Sequence, residues 1–91
     1  MLDGVAFSTD ALALRYFTEE GYDRLILTNF GRDMTLTPPS QPILAAPTNR
    51  HWELLWSSEH PKYGGQGTSP WKTDAGWRLA ADTTLLFAAV D

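Results

Sequence analysis

The sequence predicts an all-β domain, an antiparallel, Greek-key-like β-sandwich of about six to eight short strands. Three observations point there. Apolar and polar residues alternate with period two through most of the chain. Turn signals built from Gly, Pro, Asn and Asp recur at short, regular intervals. No segment carries convincing helical periodicity. With 91 residues, the expectation is a single domain spanning residues 1–91.

The lead-in, residues 1–10, offers a short edge strand at Val5 to Phe7 and a turn at Ser8-Thr9-Asp10. Ala11 to Thr18 alternates: Leu12, Leu14 and Tyr16 share one face, and Ala11, Ala13, Arg15 and Phe17 the other. Glu19-Glu20-Gly21-Tyr22 then reads as a hairpin loop, with Gly21 at the position that needs positive φ. Asp23 to Phe30 is the next strand, with Leu25, Leu27 and Asn29 on one face. After the turn Gly31-Arg32-Asp33, alternation resumes at Met34 to Thr37, so three successive strands predict a meander. Pro38-Pro39-Ser40-Gln41-Pro42 stops the last of them, because proline cannot donate to a ladder. Ile43 to Ala46 is a short apolar piece, expected in a crossing from one sheet to the other.

Arg50 to Ser57 reads as a central strand. Trp52, Leu54 and Trp56 form its core face, opposite His51, Glu53, Leu55 and Ser57. Residues 58–76 lose all periodicity and are rich in Gly, Pro, Ser and Thr, which reads as a long functional or disordered loop. Trp77 to Leu79 restarts a strand, Ala81-Asp82 turns, and Thr83 to Val90 closes the domain. That final strand is apolar on both faces, the pattern of a central or covered strand.

Composition narrows the function. A net charge of −4 and only seven scattered Lys and Arg leave no basic stripe for nucleic acid. There are no cysteines, hence no disulfide, thiolate nucleophile or Cys-type zinc site. No run approaches the roughly 20 apolar residues of a membrane helix, and the N-terminus lacks a signal-peptide pattern, so no membrane partner and a cytoplasmic location are expected. His51 and His60 are the only histidines and show no ligand spacing. Ser57-Ser58-Glu59-His60 holds triad residue types as neighbours, where they cannot converge as a triad. Glu53 and Glu59 are the best-placed carboxylate pair for glycoside chemistry, yet Glu53 falls on a polar strand face. Gly64-Gly65-Gln66-Gly67 lacks the lysine and following helix of a phosphate loop. The expected sets of catalytic, cofactor and metal residues are therefore all none.

All four tryptophans, Trp52, Trp56, Trp71 and Trp77, fall in the stretch from 52 to 77. For Trp71, Tyr63 and Trp77, two readings stand side by side. They are interface or sugar-contact residues, since flat aromatics stack on sugar rings, or they are core. Trp71, between Pro70 and Lys72, is the best surface candidate.

RLILTNFGRDMTL, WELLWSSEHPKYGGQGT and WRLAADTTLLF together resemble the C-terminal domain of malto-oligosyltrehalose trehalohydrolases, enzymes of the α-amylase superfamily. The likeness runs from Asp23 through Phe87 and is weaker upstream. Its most specific part is Trp52-Glu53-Leu54-Leu55-Trp56-Ser57-Ser58-Glu59, followed by Pro61, Tyr63, Gly64 and Gly65. Leu27, Asn29 and Gly31 are shared more loosely with α-amylases. The resemblance implies a non-catalytic β-sandwich that packs on a catalytic β/α barrel and stabilises it. The parent would hydrolyse the α-1,4 bond next to the terminal trehalose of maltooligosyl-trehalose. No barrel motif occurs in this chain, so the resemblance implies no enzyme activity of its own. A small α-glucan-binding module is the alternative. In the first reading the 58–76 loop and a patch near Trp71 would meet the barrel, and an isolated copy could dimerise through that patch.

Overall fold

The larger of two antiparallel sheets runs in the order β1-β2-β3-β8-β5. Its strands are β1 (Leu2–Ala6), β2 (Ala11–Tyr16), β3 (Arg24–Asn29), β8 (Thr83–Val90) and β5 (His51–Ser57). The smaller sheet is β4 (Met34–Leu36), β7 (Gly76–Leu79) and β6 (Lys72–Thr73), in the order β4-β7-β6. Two 3-10 turns, Pro42–Leu44 and Pro61–Tyr63, complete the described elements. This computed structural model describes residues 1–37, 41–65, 67, 71–73 and 76–91, with Tyr63 by its backbone alone. The proline stop at Pro38 to Ser40 lies outside the described residues, as does part of the 58–76 loop.

The two sheets close over one core, as a sandwich does. The larger sheet contributes Ala13, Leu25, Leu27, Leu85, Phe87, Ala89 and Trp52, and the smaller Leu36, Trp77 and Leu79. Ile43 and Leu44, on the first 3-10 turn, seal one side. Strand β8 sits between β3 and β5, as its two apolar faces predicted. Gly21 takes φ 82° in the loop between β2 and β3, as the hairpin reading requires.

Four expectations need correction. The meander is β1-β2-β3, because β4 pairs with β7 in the other sheet. The chain therefore changes sheets at 30–33, well before the prolines. Asn29 fixes that corner: its side-chain amide donates to the Arg32, Leu79 and Ala80 carbonyls, while its oxygen accepts the Gly31 N–H at 2.9 Å. Strand β5 is an edge strand, since β8 takes the central place. The described part of the 58–76 loop is also more regular than its composition suggests. The Glu59 carbonyl accepts the Gly67 N–H at 2.8 Å, and a Cβ on Gly65 would lie 2.3 Å from the Glu59 backbone, so only glycine fits there. Lys72–Thr73 forms strand β6.

The fourth correction concerns Trp56. Strand β5 pairs Leu54 with Phe87 and Trp56 with Leu86, leaving Leu55 as an extra residue in a β-bulge. One inserted residue reverses the parity of everything after it. Trp52 stays in the core at 7% exposure, whereas Trp56 turns outward at 38% and Ser57 turns in.

A buried ion pair ties the hairpin to the sealing turn. Arg15 Nη2 lies 2.8 Å from Asp23 Oδ2, and Nε donates to the same oxygen at 3.0 Å. Nη1 donates to the Ile43 and Ala45 carbonyls at 2.9 and 2.6 Å. The guanidinium lies 4.6 Å from the centre of the Phe17 ring and 4.9 Å from that of Trp52. Asp23 Oδ1 accepts the Thr18 N–H at 3.0 Å, and Trp52 Nε1 donates to the Leu44 carbonyl at 2.9 Å.

Candidate functional site

Two of the three predicted contact aromatics, Trp71 and Trp77, lie together between the sheets. Trp71 is half-buried, its ring edge-on to Trp77 at 4.9 Å and to Phe87 at 4.7 Å. Trp77 is buried and tilted over Phe87 at 5.4 Å. The Trp71 carbonyl accepts the Arg78 N–H at 2.7 Å, which fixes the segment before β6. These rings spend their surface on one another and on the core. Tyr63 closes the second 3-10 turn, and its side chain lies outside the described residues.

Several polar groups are committed to structure. Asp23 is held by Arg15. Asp33 accepts the Ala81 N–H at 2.7 Å and pairs with Arg78. First that backbone hydrogen bond and then the arginine favour its charged form, holding its carboxyl below the ordinary 3.8. That direction is opposite to what a general acid needs. His60 Nδ1 accepts the Lys62 N–H, capping the second 3-10 turn. Glu53 is exposed on edge strand β5, while Glu59 is half-buried at the loop entry. Among the described residues, no group of three His, Cys, Asp or Glu side chains is placed to hold a metal. No helix among them is long and apolar enough to cross a membrane.

The feature that alternation did not assign is the outer face of the larger sheet. The ladder places Gly4, Leu14, Ile26, Leu86 and Trp56 in one row across all five strands. Leu14, Ile26 and Trp56 are exposed, and Leu86 is half-buried at the centre. Exposed Leu2 and Tyr16 flank the row on one side, and exposed Leu12 lies on the other, next to Thr28 and Thr84. Leu55, at 51% exposure, extends the surface beside Trp56. The charged residues of this face, Arg24 and Glu53, fall in the row beside the apolar one. Arg24 folds back onto the Tyr22 carbonyl at 3.1 Å. An antiparallel sheet facing water ordinarily shows a polar outer face. The signal was present in the sequence, since β2 and β8 carry apolar residues at odd and even positions alike.

Residues 2–84 match the model of a domain of unknown function, DUF3459. The chain belongs to the DUF3459 family. This domain type is found at the C-terminus of α-amylase-family enzymes, usually fused to the catalytic barrel. Comparison with curated proteins and with solved structures gave no match. In this DUF3459 domain, Leu2, Leu12, Leu14, Tyr16, Ile26 and Trp56, most of the exposed large apolar side chains among the described residues, lie on the outer face of the larger sheet.

Proposed function

We propose that the chain is the non-catalytic C-terminal domain of a malto-oligosyltrehalose trehalohydrolase, and that it packs on the catalytic barrel and stabilises it. The family match over residues 2–84 carries this reading as far as the α-amylase-type parent. The step to trehalohydrolase rests on the resemblance of the segment from Trp52 to Gly65. On this reading the chain supplies no catalytic carboxylate. It contributes a rigid apolar surface, while the barrel carries the sugar subsites and the chemistry. The α-glucan-module alternative has less behind it, because Trp71 and Trp77 pack against each other and Phe87.

The test has two steps. The gene is read upstream of the codon for Met1, where an α-amylase-type barrel in the same frame is expected. The whole polypeptide is then incubated with maltooligosyl-trehalose, with free trehalose as the readout. The 91-residue chain alone should give no turnover. If the whole polypeptide cleaves maltooligosaccharides and releases no trehalose, the trehalohydrolase assignment fails and the accessory-domain assignment stands.

A further inference from the structure

We infer that the row Gly4-Leu14-Ile26-Leu86-Trp56, with Leu55 and Leu12 beside it, is the surface on which this domain seats against the helical outer layer of the barrel. This rests on the accessory-domain reading and names the face it uses, which is on the opposite side of the larger sheet from Trp71.

Three observations support it. The first is pattern. The row is uncharged from one edge of the sheet to the other, and its Leu14, Ile26 and Trp56 side chains are each more than a third exposed. Isolated exposed apolar residues are ordinary, whereas a contiguous patch marks an interaction surface. The second is area. Five strands spaced about 4.8 Å apart and about six residues long define a face roughly 19 Å by 20 Å, or about 400 Å². An interface between domains of one polypeptide buries about 600–1,500 Å² in total, so about 300–750 Å² per side. Obligate homodimers bury about 2,000–5,000 Å², more than twice what two such faces supply. The size therefore favours a neighbouring domain over a second copy.

The third is the bulge. An extra residue in a strand is a local disruption of the ladder. Here it moves a tryptophan from the core side, where the strand already has Trp52, to the outer side, where it joins Leu86. Tryptophan is among the side chains enriched at the anchor points of interfaces. A barrel as occupant agrees with the family, whose domains are usually fused to a catalytic α-amylase barrel in the same polypeptide.

The experiment is hydroxyl-radical footprinting of the whole barrel-containing polypeptide against the 91-residue chain. Trp56 should become about fivefold less reactive in the whole polypeptide, the ratio of its 38% exposure to the 7% of buried Trp52, and Tyr16 should lose reactivity with it. Met34, on the smaller sheet, should not change. Ile26→Lys should leave the thermal transition of the isolated chain nearly unmoved and restore Trp56 reactivity in the whole polypeptide. If Ile26→Lys fails to fold, Leu14→Lys on the same row replaces it. Unprotected Trp56 in a polypeptide that does contain the barrel overturns the assignment of the face and leaves the accessory-domain reading intact. Absence of a barrel from the reading frame overturns both. Sedimentation of the isolated chain as a dimer that Ile26→Lys dissociates, with Trp56 still reactive beside the barrel, assigns the face to a second copy and also overturns the proposal.

Discussion

Replacing Arg15 with methionine keeps most of the side-chain volume and removes the charge. Arg15 and Asp23 are 5% and 2% exposed, so neither can turn to water without opening the fold. The substitution leaves the Asp23 carboxylate with the Thr18 N–H as its remaining described donor and deprives the Ile43 and Ala45 carbonyls of theirs. Breaking a buried pair from one side typically costs about 3–5 kcal/mol. At about 0.05–0.15 kcal/mol per residue, a chain of this length holds roughly 5–14 kcal/mol in all. Arg15→Met should therefore remove about a fifth of the stability at the least, and most of it if the total lies at the low end. Urea denaturation followed by tryptophan fluorescence should show the midpoint falling by roughly 2–5 M at a slope near 1–1.5 kcal/mol/M, or no folded baseline at all. Arg15→Met combined with Asp23→Leu should recover part of the loss, because no lone charge then stays buried. A loss below about 1 kcal/mol for the single variant, the scale of a surface pair, would refute the claim that this ion pair holds the sealing turn.

The bulge makes a second prediction. Trp52→Ala should cost about 3–5 kcal/mol as a core truncation, while Trp56→Ala in the isolated chain should cost about 1 kcal/mol or less, both read from urea midpoints. Similar costs at the two positions would mean that Trp56 is buried after all. Deleting Leu55 should turn Trp56 inward, and a blue shift of tryptophan emission with loss of cooperativity is the expected sign. Gly65→Ala places a methyl 2.3 Å from the Glu59 backbone and should cost about 1–3 kcal/mol, seen as a lower thermal midpoint. For Asp33 the folded carboxyl titrates below its ordinary 3.8, so its contribution is present above that value and is lost as pH falls through the lower folded pKa. A carboxyl-carbon NMR titration should give a midpoint below 3.8, and Asp33→Asn should abolish that part of the acid dependence.

Much of the fold was legible because period-two patterning is local. Strands β2, β3 and β8 were read close to their observed limits, and Gly21 marked its turn through a backbone demand that few other residues meet. What stayed hidden was decided by partners far away in sequence. Met34–Leu36 alternates equally well in either sheet, and the capping of the corner by Asn29 sends it to the second. Trp56 has the right spacing for the core, and only the pairing of Leu86 with it shows that Leu55 is an extra residue. Trp71 sits in a polar, glycine-rich context, and its burial depends on Trp77 and Phe87 arriving from elsewhere. The outer face was missed for a different reason. Leu12, Leu14 and Tyr16 are larger than Ala11, Ala13 and Arg15, so size alone would put the wrong side of β2 inside. The buried partner of Arg15 decides the matter.

The central position of β8 has a consequence for how the domain forms. Without residues 83–90, strands β1 to β3 form one ribbon and β5 has no neighbour in the larger sheet. No pairing joins β5 to the ribbon until the last strand of the domain inserts between them. Such long-range closure is slow compared with hairpin formation. The domain should stay open through most of its synthesis and lock in a single late step, with the ribbon's apolar rows uncovered until then. In pulse-labelling hydrogen exchange, the β2–β3 hairpin amides should gain protection first, and those of β5 and β8 should follow later and together.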